Sequence, residues 1–197
     1  MFSRNNNIAR VSFRLIVVLL CGASLSAYAA LCQSAFTLDG KPLDPFRAGS
    51  GKPVVLIFVR TDCPISNRYA PVIRGLYDSQ YHLLASFWLV YPDKKTTAKE
   101  IRGHLSNFDF GISALRDPDH VLVKQASATI TPEAAVFDAH GALLYHGRID
   151  NLYFDAGRTR PAATTHELQD AIESALLKKN SMPASAPAVG CYISDLK

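Results

Sequence analysis

The sequence predicts an α/β fold in which a central mixed β-sheet carries helices on both faces. Residues 53–60 form a continuous apolar, β-branched run, which is typical of a strand buried on both faces of a mostly parallel sheet. Residues 64–81 come directly after it and repeat apolar side chains at helical spacing, so one face of a helix is expected to enter the core. Strand-like and helix-like segments then alternate along the rest of the chain.

The remaining elements are predicted from local patterns. In chain order, we expect a short extended piece at 35–38, a strand at 85–90, helices at 96–108 and 119–127, strands at 133–137 and 142–149, and a final helix at 166–178. Thr96 or Thr97 is expected to cap the helix 96–108, with Glu100 behind it. Residues 155–165 are expected to form an exposed loop.

The first 29 residues have the layout of a secretory signal peptide. Three arginines precede an apolar run at 15–20, and Ala27-Tyr28-Ala29 suits cleavage after Ala29. An uncleaved membrane anchor is the alternative, but the apolar run is shorter than the roughly 20 residues that a spanning helix needs. We therefore expect an exported protein, periplasmic or extracellular, that meets a membrane only if the signal stays uncleaved.

The rest of the chain is expected to comprise a single domain at residues 30–179 and a flexible tail at 180–197 that carries Cys191. The signal holds three of the 21 basic residues and no acidic one, so its removal leaves 18 basic against 17 acidic residues. This balance, without a basic stripe, excludes nucleic acid as a partner.

The cysteine count points to redox chemistry. Cys21 leaves with the signal, so Cys32, Cys63 and Cys191 enter an oxidising compartment. At most one internal disulfide can form among three thiols at a time. One sulfur therefore stays free, reacts, or pairs with another molecule.

Cys63 is the candidate nucleophile. It lies where the apolar strand passes into the helix, and a helix N-terminus favours thiolate over thiol. Pro64 suits the first helical turn, where its missing N–H costs nothing. Polar neighbours at 61, 62, 66 and 67 indicate a surface turn rather than a core cysteine.

These residues resemble the thioredoxin-like superfamily, in its redoxin branch of alkyl hydroperoxide reductase and thiol-specific antioxidant type. The matching marks are the strand that leads into Cys63-Pro64-Ile65-Ser66, Pro71 within the next helix, and Thr131-Pro132 before a strand. At the last position these proteins place a cis-proline beside the active thiol, and the extra βα material around 96–115 is similar to an insertion of the redoxin branch.

The resemblance implies a thioredoxin-like fold and an oxidoreductase that forms mixed disulfides with protein thiols or disulfides. Pro64, Ser66, Thr131 and Pro132 would then line the substrate groove, and no cofactor or metal is implied. The backbone of Thr131 would pair with an extended peptide.

Several departures from the family limit this assignment. Ser66 replaces the second cysteine of Cys-x-x-Cys, and Ile57 stands at the place of the buried aspartate. Arg60 stands where peroxiredoxins have a threonine, and this departure makes a thiol peroxidase acting on hydroperoxide the alternative rather than the first choice. A non-catalytic binding or chaperone-like module is a further one. Asn67 replaces the second cysteine of copper-delivery proteins, and all six histidines are expected on the surface or in turns.

A monothiol motif needs a second thiol to release a mixed disulfide. Cys191 is the favoured resolving thiol, because a flexible segment of its length spans about 20 Å. Pairs of Cys32 with Cys191 or with Cys63, and an external thiol, remain open. The segment 151–160 is interpreted as a plain connection with Tyr153 and Phe154 packed onto the sheet, rather than as a partner surface.

Overall fold

The structure, a computed structural model, describes residues 35–179, 181–194 and 196. The predicted signal peptide and Cys32 lie outside the described residues. The described elements form a mixed α/β architecture with a seven-stranded sheet. No helix among the described residues is long and apolar enough to cross a membrane.

Eleven strands and seven helices are described. The strands are β1 (Ala35–Thr37), β2 (Pro42–Leu43), β3 (Val54–Phe58), β4 (Ser86–Tyr91), β5 (Ala114–Arg116), β6 (Ile130–Thr131), β7 (Glu133–Phe137), β8 (Leu143–Gly147), β9 (Tyr153–Asp155), β10 (Arg158–Thr159) and β11 (Cys191–Tyr192). The helices are α1 (Pro45–Ala48), α2 (Pro64–Arg68), α3 (Ala70–Asp78), α4 (Tyr81–Leu84), α5 (Ala98–Asn107), α6 (Val121–Ala126) and α7 (Glu167–Leu176).

The large sheet is mixed, in the order β2-β1-β5-β4-β3-β7-β8. β3, β4 and β5 run parallel, whereas β7 pairs antiparallel with β3 and with β8. Two small antiparallel pairs, β9 with β10 and β6 with β11, lie outside it. Phe58 at the end of β3 is opposite Glu133 at the start of β7. This register brings the segment after β3 close to the segment before β7.

β3 is buried on both faces, as the apolar run predicts. Val55 and Ile57 join a cluster with the buried sides of α3, α5 and α7. Leu56 and Phe58 join a second cluster on the opposite face with α6. Each such aliphatic or aromatic side chain contributes about 1.5–3 kcal/mol on full burial. The predicted α/β fold with helices on both faces of a mixed sheet is confirmed.

The predicted helix at 64–81 is divided into two, α2 and α3. α2 ends at Arg68, α3 begins at Ala70, and α4 is a separate turn. Pro71 lies in the first turn of α3 and has no N–H to donate to the carbonyl four residues earlier. The spacing of apolar residues contains no information about this lost hydrogen bond, so the periodic pattern predicts one helix.

Two segments predicted to lack regular structure contain short strands. Residues 155–165 include β10, which forms a hairpin with β9. Residues 180–197, expected to be flexible, include β11, which pairs with β6. A two-residue strand is too short for alternation to reveal it. Tertiary pairing alone produces it.

The cap of α5 provides a stability test. The Thr97 hydroxyl accepts from the Glu100 amide at 3.3 Å, and the Glu100 carboxylate accepts from the Thr97 amide at 2.7 Å. Thr97→Ala is expected to lower the free energy of unfolding by about 1 kcal/mol in urea denaturation. Thr96→Ala, at the other candidate cap, is the matched control and should leave it unchanged. Equal effects of the two substitutions would contradict the assignment.

Candidate functional site

Cys63 is the N-cap residue of α2. Its backbone is extended, with φ −91° and ψ 110°, and Pro64 comes next in the first turn. The thiol makes no capping bond of its own. The nearby backbone amides of Ile65 and Ser66 nevertheless favour the thiolate and lower the pKa of Cys63. The strand-to-helix position predicted for Cys63 is thus the one it has.

The Thr131–Pro132 peptide bond is cis, in agreement with the sequence inference. The Cys63 Sγ donates to the carbonyl oxygen of Thr131 at 3.2 Å. Glu133 holds this segment in place, because its carboxylate accepts from the amides of Thr129 at 2.8 Å and Ile130 at 3.2 Å. The acidic residue directly after Thr-Pro is a sequence signal that could have revealed this role.

Cys191 lies directly opposite Thr131 in the β6–β11 pair. The Thr131 hydroxyl donates to the Cys191 carbonyl at 3.2 Å. The Cys191 thiol lies close enough to Cys63 to lower the pKa of that cysteine, and both cysteines are free thiols. The structure therefore brings together the predicted nucleophile and the predicted resolving thiol.

The four predicted groove residues surround this pair unequally. Ser66, Thr131 and Pro132 are buried, whereas Pro64 is exposed. The Ser66 hydroxyl has no hydrogen-bond partner among the described residues, apart from its effect on the Cys63 sulfur. It is therefore available as a donor to a thiolate.

The pKa of Cys63 lies below its ordinary value. Burial acts against the thiolate and raises the pKa, but the nearby Cys191 thiol, the Ser66 hydroxyl and two backbone amides favour the anion and outweigh the effect of burial. The pKa of Cys191 is raised to about 11 by burial, by its proximity to the Cys63 sulfur and by the negative charge of that thiolate. Cys63 therefore ionises first, and Cys191 stays protonated as the donor.

The expectation of a surface turn at Cys63 is wrong. Its side chain is 0% exposed. The polar neighbours that suggested a surface position do face outward in part, since Asp62 is exposed. Cys63 itself lies against Thr131 and Cys191, and the segment that carries Cys191 comes from a distant part of the sequence.

Arg60 is a site residue whose main contact the sequence does not reveal. Its guanidinium pairs with the Asp62 carboxylate at 2.9 Å and donates to the Tyr192 carbonyl at 3.0 Å. Its charge favours the ionised form of Cys191 and so opposes the rise in the pKa of that thiol. Arg68, the other arginine that flanks Cys63, is exposed.

A buried polar chain supports the helix that begins at Cys63. Asn67 Oδ1 lies 2.8 Å from His104 Nε2, and His104 Nδ1 lies 2.8 Å from the Tyr91 hydroxyl. Because the amide oxygen only accepts, Nε2 carries the proton and Nδ1 accepts from Tyr91. The Asn67 amide nitrogen donates to the Thr61 carbonyl at 3.4 Å and so closes the turn before Cys63.

The expectation that every histidine lies on the surface or in a turn is wrong for His104, which is buried in α5, whereas His120 is buried but closes the turn that begins at Asp117. Both are held by hydrogen bonds, His104 in the chain just described and His120 to the Pro92 carbonyl at 3.0 Å. In the part of the chain that the structure describes, no group of three or more His, Cys, Asp or Glu side chains could hold a metal ion.

The two aromatic residues of the β9–β10 hairpin differ in exposure. Tyr153 is buried, as expected, whereas Phe154 is 47% exposed. The guanidinium groups of Arg158 and Arg160 lie 5.1 and 5.2 Å from the centre of the Phe154 ring. The ring therefore makes cation–π contacts with these two arginines, and the expected packing of Phe154 onto the sheet is wrong.

The arrangement identifies the fold. A buried parallel strand leads to a cysteine at a helix N-terminus, and a cis-proline before an antiparallel strand faces that cysteine. The fold is thioredoxin-like.

Solved structures match this chain at low sequence identity. An uncharacterized conserved protein from Geobacillus kaustophilus matches with a TM-score of 0.70 and 17% identity, over 81% of this chain and 86% of that chain. A hypothetical protein from Sinorhizobium meliloti 1021 matches with a TM-score of 0.68 and 16% identity, over 81% and 88%. A secreted Mycobacterium tuberculosis disulfide oxidoreductase matches with a TM-score of 0.49 and 20% identity, over 74% and 94%. Comparisons with protein-family models and with curated protein sequences give no match.

The Ser66 hydroxyl provides a test of the electrostatics. Ser66→Ala removes a donor to the thiolate and is expected to raise the pKa of Cys63. The measurement is the pH midpoint of alkylation at Cys63, read by peptide mapping of the reduced protein. Exposed Ser106 is the matched control, and Ser106→Ala should leave the midpoint in place. An unchanged midpoint in Ser66→Ala would contradict the assignment.

His104 provides a test of stability against pH. Burial lowers the pKa of His104. Below about pH 6.5 the unfolded chain therefore binds a proton at this residue that the folded chain does not bind. The stability from this group is present above that pH and is lost as pH falls toward the folded-state pKa. Between about pH 7 and pH 5, the free energy of unfolding should fall more in the wild type than in His104→Gln.

The control for this experiment is His140→Gln, which alters an exposed histidine in a turn. It should behave as the wild type over the same pH range in urea denaturation. If His104→Gln matches the wild type as closely as His140→Gln does, the buried imidazole is not the titrating group.

Proposed function

We propose that this protein is an exported thiol–disulfide oxidoreductase whose nucleophile is Cys63 and whose resolving thiol is Cys191. One observation carries the proposal. The Cys63 thiol lies at a helix N-terminus between the carbonyl before a cis-proline and a second free thiol, with its pKa lowered. An oxidising compartment, as the predicted signal peptide provides, suits such a pair.

The first step is attack of the Cys63 thiolate on a disulfide of a protein substrate. A bond forms between Cys63 Sγ and one substrate sulfur, and the other substrate sulfur leaves as a thiolate that takes up a proton. The donors from Ser66 and from the backbone of α2 hold the anion before attack. Loss of the charge in the mixed disulfide releases those donors.

The second step is attack of Cys191 on Cys63 Sγ. The mixed disulfide breaks, the substrate leaves with both its sulfurs reduced, and a Cys63–Cys191 disulfide remains. The negative charge on Cys63 contributes to the raised pKa of Cys191, and that charge is absent from the mixed disulfide. Arg60 continues to favour the Cys191 anion. Cys191 thus becomes a better nucleophile at the stage that needs one.

The cycle closes when an external dithiol donates two electrons to the Cys63–Cys191 disulfide. The same steps in reverse let the oxidised pair accept electrons from a substrate dithiol. In either direction the protein transfers electron pairs between thiols by exchange, so no cofactor is needed. Ser66 does not interrupt this chemistry, because the second thiol comes from β11 instead of from the helix.

The decisive test compares two cysteine variants of the full exported chain, with insulin as the disulfide substrate and a dithiol as the reductant. Cys63→Ser is expected to lower the reduction rate by about a hundredfold or more and to trap no insulin chain. Cys191→Ser is expected to accumulate a Cys63–insulin mixed disulfide, visible by mass spectrometry, because the resolving thiol is missing.

Cys32→Ser is the matched control and should keep both turnover and the Cys63–Cys191 disulfide. Retained insulin reduction in Cys63→Ser would refute the proposal. If wild type forms the Cys63–Cys191 disulfide with hydroperoxide but not with insulin, the protein is a thiol peroxidase instead. If neither oxidant reacts at Cys63, the non-catalytic binding role replaces the catalytic one.

A further inference from the structure

The groove beside Pro132 is occupied by the chain itself. Residues 190–193, here called the plug strand, include β11, which pairs antiparallel with β6. The Ile193 amide donates to the Thr129 carbonyl at 3.0 Å, and the Cys191 carbonyl accepts from the Thr131 hydroxyl at 3.2 Å. Arg60 adds a bond from outside the pair, at 3.0 Å to the Tyr192 carbonyl.

The fit is closest at Gly190. Any side chain at this position would overlap the carbonyl of Thr131 and press on the Pro132 ring. Glycine is therefore the residue that allows the plug strand to approach the cis-proline. Two residues after Cys191, Ile193 is 5% exposed and joins the apolar cluster that contains Phe58 and Leu122.

The plug strand is held by a few separate contacts rather than by one continuous packed face. Its strand pairing is two residues long, and Tyr192 between the anchors is 78% exposed. Just before it, residues 185–188 lie over a pocket of about 430 Å³ that Glu133 and His146 help to line. Ile193 is the one buried side chain of the plug strand, so departure of the strand from the sheet would uncover one aliphatic side chain of the core.

The plug strand also closes the site. Cys63 is 0% exposed while Cys191 lies against it. A protein disulfide cannot reach the Cys63 sulfur without removing this cover. The backbone edge that a substrate peptide would use is the edge of β6 that already bonds to the plug strand.

We propose that the plug strand is a displaceable occupant of a peptide-binding site. The partner is an extended polypeptide that contains a cysteine, has glycine directly before it and carries an apolar residue two positions after it. Such a segment pairs with β6 in place of residues 190–193 and exposes Cys63 as it binds. This inference rests on the proposed function for the use of the site, but the exchange of strands is independent of turnover.

The test uses the reduced full chain and a labelled synthetic peptide with the sequence of residues 186–194, in which serine replaces the cysteine. Gly190→Val places a side chain against Thr131 and releases the plug strand. We expect this variant to bind the peptide at least about tenfold more tightly than the wild type. Alkylation of its Cys63 should be faster by a similar factor of about ten.

Ala184→Val is the matched control, since it adds the same side chain at an exposed position of the same segment. It should behave as the wild type in both measurements. A second peptide, with valine at the position of Gly190, should bind Gly190→Val protein at least about tenfold more weakly than the first. Ile193→Asp releases the opposite anchor and should reproduce the effects of Gly190→Val.

If both releasing variants match the wild type in peptide binding and in alkylation of Cys63, the plug strand does not block a peptide site, and the inference is overturned. Equal binding of the two peptides would overturn the glycine requirement. Neither readout involves insulin reduction. Strand exchange without insulin reduction would therefore refute the proposed catalysis alone, and insulin reduction without strand exchange would refute this inference alone.

Discussion

The hydrogen bond from the Cys63 thiol to the Thr131 carbonyl joins positions 68 residues apart in the chain, and the site is built around it. Its geometry depends on the antiparallel pairing of β3 with β7, in which Phe58 is opposite Glu133. A shift of this register by one residue would move the side chains of the shifted strand to the opposite face of the sheet and separate the cysteine from the cis-proline. The apolar core on both faces of β3 thus fixes the position of the sulfur.

Two opposing effects act on that sulfur. Removing a thiolate from water is unfavourable, and the complete burial of Cys63 would by itself raise its pKa. Donors from Cys191, Ser66 and the first turn of α2 outweigh this cost. Since one of these donors belongs to β11, the cover that buries the thiol also supplies part of its stabilisation. Departure of the plug strand would remove both influences together.

The short strand β11 affects both how a mixed disulfide at Cys63 is resolved and where a substrate peptide can bind. It carries the only second thiol that contacts Cys63 among the described residues, and it occupies the edge where a peptide would pair. In the proposed cycle these two roles are sequential. The plug strand leaves as the substrate binds, then returns with Cys191 to resolve the mixed disulfide and to restore the cover.

The sequence by itself determined the features with local causes: the buried run of β3, the placement of Cys63 and Pro64 at the start of a helix, and the proline at 132. Only the tertiary structure decided the burial of Cys63 and His104 and the docking of β11. These depend on contacts between distant segments and on strands of two residues. Such strands leave no periodic pattern, because their conformation is set by the partner that they meet rather than by their own side chains.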